Sequence, residues 1–173
     1  VALGCGTACW EVPNLLTTAE WVREGNIGAL TAAAIPGGFP NEVSGSGCVQ
    51  QTMMRVLTGM EVEWVEGWTL PPLPNYAVPP GESEEDIDCP AYGRLGLTGG
   101  IVCEVPPPRA QHVNTRVRLD GENGQVWLGG PRSALIQGRG AEASAVYPDW
   151  LAVEPKEFFT LVVERLMAAF DNG

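Results

Sequence analysis

Two side chains could carry out covalent chemistry together: Cys9, just before the first helical pattern, and His112, the only histidine in the chain. A thiol attacks a carbonyl as its thiolate, and the positive end of a helix lowers the thiol pKa. A histidine from a distant part of the chain can take the proton and return it. Backbone N–H groups, that of Cys9 among them, would hold the developing oxyanion, with Thr7 as a side-chain candidate. The small residues from Gly4 to Ala8 leave the thiol uncrowded, and Trp10 beside it would shield the site from water.

The elements that must position this pair follow from periodicity. Residues 1–9 are small and glycine-rich and predict a loop. Leu15, Leu16, Ala19 and Val22 share one face of a helix that begins after Asn14 and stops at Gly25. A Gly- and Pro-rich loop runs from Ile35 to Gly47. Ser46 is the expected N-cap of a second helix lined by Val49, Met53, Val56, Leu57 and Met60, with Gly59 at its end. Glu61 to Val65 alternates as a strand does.

Residues 69–92 hold Pro71, Pro72, Pro74, Pro79 and Pro80, then the acidic run Glu82, Glu84, Glu85, Asp86 and Asp88. Such a segment predicts a long extended loop, either the wall of a cleft or a solvated spacer. Strands follow at Ile101–Val105 and His112–Leu119, and a turn at Asp120–Gly124 returns the chain through Gln125–Leu128. Pro155 opens a last helix with Phe158, Phe159, Val162, Val163, Leu166 and Phe170 as its apolar stripe. Helices first, strands later and a closing helix predict one α+β domain over residues 1–173. Its helical part would span about 9–60, the loop 69–92, an antiparallel sheet 93–150 and the C-terminal helix 155–170, with a groove between the halves.

Composition narrows the function. At 45% hydrophobic the chain can build a core, and 22 Gly with 15 Pro predict many turns. A net charge of -11 argues against a nucleic-acid partner. No apolar run reaches the roughly 18 residues a bilayer demands, so no membrane partner is expected. Five cysteines, an odd count without a CxxC pair, argue against a disulfide framework and against a metal site, and point to a reducing compartment. Cys48 and Cys103 are read as core residues, and no cofactor is implied. The opening Val1-Ala2-Leu3-Gly4, without an initiator Met, suggests a mature or excised piece.

With Cys9-Trp10 before a helix and a histidine roughly a hundred residues later entering a hairpin, the chain resembles the papain-like cysteine autoproteases of positive-strand RNA viruses. Leu57-Thr58-Gly59-Met60-Glu61, Val126-Trp127-Leu128 and Tyr147-Pro148 with Trp150 are similar to the leader type, and Trp150-Leu151-Ala152-Val153 to the rubivirus protease. The resemblance implies a papain-like fold and a thiol endopeptidase in which Cys9 attacks and His112 moves the proton. It implies self-release from a polyprotein by cutting after Gly173, with host proteins as further targets, in the host cell cytoplasm, by a monomer. It also implies an orienting residue on the second hairpin strand. Leu128-Gly129-Gly130 offers none, which leaves Asn123 and Asp149 as candidates or a bare Cys-His dyad.

Two other readings stand beside it. A non-enzymatic virion or phage structural or protein-binding domain would use the Pro-rich acidic loop as its contact surface. A secreted disulfide-bonded domain would hide four of the five thiols.

Overall fold

The computed structural model describes residues 14–39, 47–71, 89–108, 116–129 and 133–151, with 163, 164, 167 and 168. The opening loop, the middle of the Pro-rich segment, the stretch around His112 and most of the C-terminal helix lie outside the described residues.

Two helices form where the apolar spacing places them. Helix α1, Leu15–Arg23, buries Leu15, Thr18 and Ala19. Asn14 precedes it in the left-handed region, and its Nδ2 donates to the Leu151 carbonyl at 3.4 Å. Helix α2, Cys48–Thr58, buries Met53, Met54 and Leu57, the i, i+1, i+4 set of one face. Gly59 ends it at φ 67°, and its N–H donates to the Arg55 carbonyl. The two helices pack on each other and on one side of a sheet.

That sheet has eight strands: β1 Leu30–Ala34, β2 Val62–Thr69, β3 Ala91–Leu97, β4 Ile101–Val105, β5 Val117–Gly121, β6 Gly124–Leu128, β7 Ala134–Gln137 and β8 Ser144–Val146. Their spatial order is β2-β3-β4-β1-β5-β6-β7-β8. All neighbours are antiparallel except β1 with β4, which run parallel. In the β5–β6 hairpin Gly121 faces Gly124 across a two-residue turn.

The alternation of side chains divides the sheet cleanly. Leu95, Leu97, Cys103, Val105, Ala33, Val117, Leu119, Val126, Leu128 and Leu135 face the helices and are buried. Their register partners confirm one face: Leu95 pairs with Cys103, Ala33 with both Cys103 and Leu119, and Leu119 with Val126. Burying such a set, at about 1.5–3 kcal/mol for each large side chain, is the main force that closes the domain.

The expected papain-like division is corrected by this topology. The sheet does not begin after the helices. Strand β1 lies between α1 and α2 in the chain and sits in the interior of the sheet, joined to β4 and β5. One half cannot then be helical and the other sheet, because the chain threads the sheet before it builds α2. Two local readings change as well. Strand β2 continues to Thr69 and β3 begins at Ala91, so both ends of the Pro-rich segment are strand. Gly47 stands at the N-cap of α2, without a side-chain cap bond. Among the described residues no helix is long and apolar enough to cross a membrane.

Candidate functional site

Of the expected site residues, Cys9, His112, Thr7, Trp10 and Gly173 lie outside the described residues. Asn123 and Asp149 are the two that are placed. Asn123 is exposed in the β5–β6 turn, where its N–H donates to Ile27 and its carbonyl accepts from Gly138. Asp149 is exposed at the start of a short 3-10 turn after β8. Cys48, read as core, is exposed at the start of α2. Cys103, also read as core, is buried beneath the helices. Burial pushes its thiol up to about 12, with the negative Glu104 adding to the shift. It is packed as an apolar residue and carries no thiolate near neutral pH.

A concavity lies where the helices stop covering the sheet. The helix side of β2 is left open, so Val65 is 68% exposed although its partner Leu95 is buried. A groove of about 550 Å³ results, lined by Gln51 of α2, by Phe39, and by the β2–β3 hairpin from Val65 to Thr69 and Ala91 to Leu95. Phe39 is fixed at its wall by a reciprocal backbone pair, its N–H to the Ala91 carbonyl at 3.2 Å and the Ala91 N–H back at 3.0 Å. A turn closed by Gly38 N–H to the Ile35 carbonyl, directly after β1, delivers it there.

The groove is apolar with a few polar groups, Gln51 and Thr69 among them, which is the usual make-up of a binding slot. Its charged members are already satisfied, for Arg94 pairs with Glu66. The arrangement can hold a molecule with an apolar face and a few hydrogen-bonding groups. No histidine or lysine stands among the described residues, so Glu66 and Tyr92 are the lining side chains of a type that can transfer protons. Nor do those residues gather three metal-ligating side chains.

A dinucleotide is a poor fit to this sheet. Nucleotide-binding sheets are mostly parallel and cradle the pyrophosphate at a helix N-terminus after a strand, at a switch point. Here one pair in the sheet is parallel.

The sequence reading missed the groove for identifiable reasons. Phe39 falls in a stretch read as loop, Gln51 lies off the apolar stripe of α2, and β3 carries two glycines that weaken its strand signal. The alternation Trp64, Glu66, Trp68 was the available signal that β2 runs on past Val65.

No known protein family matches the chain. No curated protein matches it either. Solved structures do. An aldose-aldose oxidoreductase from Caulobacter crescentus, complexed with glycerol, superposes with a TM-score of 0.68 at 16% identity, over 97% of this chain and 53% of that one. The 3-ketoreductase KijD10 from Actinomadura kijaniata, in complex with TDP-benzene and NADP, gives 0.62 at 15% identity, over 93% and 52%. The transcriptional regulator Gal80p from Kluyveromyces lactis gives 0.59 at 14% identity, over 90% and 46%. The chain spans about half the length of each.

These likenesses overturn the protease reading. The neighbours are oxidoreductases and a regulator, not papain-like viral enzymes. With the papain-like fold gone, the hydrolase activity, polyprotein self-cleavage and viral setting it implied lose their support. The chain adopts the fold that about half of each of these oxidoreductases, and of Gal80p, adopts.

Proposed function

We propose that this chain is the sheet-bearing half of an NAD(P)-dependent oxidoreductase of the Gfo/Idh/MocA type that acts on a sugar-like carbonyl or alcohol. The observation that carries this reading is the superposition of nearly the whole chain on half of an aldose-aldose oxidoreductase. The mixed sheet does not build a dinucleotide cradle, so the nucleotide is held outside the described residues. This half supplies the substrate wall, and the groove between Phe39, Gln51 and the β2–β3 hairpin is the candidate for it. An apolar wall with isolated amide and hydroxyl groups suits a polyol ring, which has apolar faces and polar edges.

The test is binding of a panel of aldoses and keto-sugars by the purified protein, followed as a change in its tryptophan fluorescence, because this half is assigned the sugar and not the nucleotide. A saturable change with one or more sugars supports the reading. No change with any sugar of the panel would sink it.

A second reading has its own support. The likeness to Gal80p favours a regulator that uses this fold without catalysis. Nucleotide binding without turnover on any sugar would select it.

A further inference from the structure

Strand β2 is an edge of the eight-stranded sheet, and every residue from Val62 to Thr69 is exposed. Its inner hydrogen bonds run to β3, and the Leu70 N–H continues that row by donating to the Pro90 carbonyl at 2.7 Å. In an antiparallel pair the backbone groups of successive residues point alternately inward and outward. Leu70, Trp68 and Glu66 therefore turn theirs toward β3, while Thr69, Gly67 and Val65 turn theirs away from it. Across the pair, Ala91 is the register partner of Thr69 and likewise turns away, to bond with Phe39. Among the described residues nothing meets the outward groups of Val65, Gly67 and Thr69. An edge this long is usually blunted by proline, lysine or a covering element. Val62–Thr69 contains neither residue.

The same strand opens a trough. Gly67 and Gly93 are register partners, and Gly93 faces Val105 on the next strand. This row belongs to the helix side of the sheet, where Val105 is buried. Two neighbouring positions there carry no side chain. The groove therefore runs from the free edge at Gly67 inward to Phe39 and Val105, between the pairs Val65–Leu95 and Thr69–Ala91. Gly93 is held to glycine, because its φ is 152° and a Cβ would run into the Glu66 carbonyl.

We propose that β2 takes up an extended peptide as a further, antiparallel strand, with one aromatic side chain of the peptide lying in this trough. Main-chain hydrogen bonds to Val65, Gly67 and Thr69 supply affinity, and the trough selects the residue opposite Gly67. The side chain of that residue stands on the same face as the trough. An aromatic laid across a strand glycine already occurs on this hairpin, where Trp64 covers Gly96.

Two observations fix the chemistry of the occupant. The first is size. A second copy of β2 could meet the same edge, but its helix-side residues, Val65, Gly67 and Thr69, offer nothing larger than valine to a groove of about 550 Å³. Copies at -11 each also repel. The second is charge. Arg55 holds Glu61 and Arg94 holds Glu66. Glu63, the extra residue where the β2–β3 register shifts, has no ion pair among the described residues. The peptide therefore carries an aromatic residue and, four positions further on, a lysine or arginine opposite Glu63. The trough is part of the groove assigned above to a sugar, so peptide and sugar exclude each other, but the strand pairing does not depend on the sugar reading.

The test is fluorescence anisotropy of a labelled peptide of about nine residues, rich in threonine and valine, with phenylalanine at its centre and lysine four positions beyond. Saturable binding to the unsubstituted protein is expected. Glycine in place of the phenylalanine should weaken it by about tenfold, the worth of one buried large side chain. Gly67→Val should weaken binding because it fills the mouth of the trough; its Cβ comes no closer than 3.3 Å to the Tyr92 carbonyl. Thr69→Pro should weaken it because it removes an outward N–H and leaves the bonds to β3 in place. Glu63→Lys should weaken the lysine peptide and favour the same peptide with glutamate there. Loss of structure cannot produce that reversal, which covers the case in which Gly67→Val fails to fold. No binding of the phenylalanine peptide, equal binding of the glycine peptide, or binding indifferent to Thr69→Pro and Glu63→Lys would each overturn the proposal. None of these measurements involves a sugar, so their failure is distinct from failure of the sugar-binding test.

Discussion

The indole of Trp64 lies over Gly96 on the neighbouring strand, its register partner, so that a Cβ at Gly96 would fall within the ring. An aromatic laid across a strand glycine shields backbone that the missing side chain would leave bare. Trp64 is half exposed and can swing away. Gly96→Ala should therefore lift the ring off the sheet and cost no more than about 1 kcal/mol, within the range of strand substitutions. Acrylamide quenching of Trp64, isolated by difference from Trp64→Phe, should rise in the Gly96→Ala protein. Unchanged quenching would show that the ring does not rest there.

Cys103 sets a pH limit. Its folded pKa, about 12, lies above the 9.0 of an unburied thiol. As pH rises the unfolded chain releases this proton first, so the unfolded state gains and stability falls. The contribution is fully present below pH 9.0 and is lost between there and about 12. Urea denaturation across that window should show a steeper loss for the native sequence than for Cys103→Ala. The cavity left by the substitution lowers the whole curve, so the comparison is of slopes rather than levels. Parallel slopes would mean that the thiol is not shielded as described.

Gly59 separates backbone strain from packing. It ends α2 at φ 67°, and nothing lies within 4 Å of where its Cβ would be. Gly59→Ala then has room and pays only for the left-handed conformation, roughly 1 kcal/mol. Thermal unfolding should register that loss. A cost several times larger would place an unseen neighbour at the helix end.

What the sequence made legible was local. The span of α2, its glycine stop and the β5–β6 hairpin all follow from short-range periodicity and turn chemistry, and they stand where the pattern puts them; of the expected stripe Met53 and Leu57 are buried, Val49, Val56 and Met60 are partly so, and Met54 joins the core unexpected. What it concealed was partner choice. Leu30-Thr31-Ala32-Ala33-Ala34 has little strand character of its own, since alanine is depleted in sheets. The strand forms because Ala33 must fit between Cys103 and Leu119 under the helices, and Ala34 between Glu104 and Arg118. Neither β4 nor β5 is near it in sequence, and no local pattern announces them. That single strand separates a papain-like order of elements from the observed one. The groove was hidden for the same reason, because Phe39 reaches it only by way of β1 and the turn that follows. The Cys9–His112 pairing rested on a dipeptide and a spacing, both of which many folds satisfy.

Thr18 tests the interface of the two helices. It is fully buried on α1, and its hydroxyl oxygen has no hydrogen-bond partner among the described residues. A buried hydroxyl left without a partner costs about 1–3 kcal/mol in lost hydration. Valine has nearly the same shape, is also β-branched and differs little in helix propensity, so Thr18→Val removes the polar group without opening a cavity. The substitution should leave the fold unchanged and raise stability by about 1 kcal/mol, read as a shift of the urea midpoint at constant slope. Thr18→Ala supplies the contrast. It removes the same hydroxyl but also a buried methyl, and the cavity should turn the gain into a net loss. If valine instead destabilised the protein, the hydroxyl would have to be bonded in solution, and the contact between α1 and α2 would need a polar partner for it.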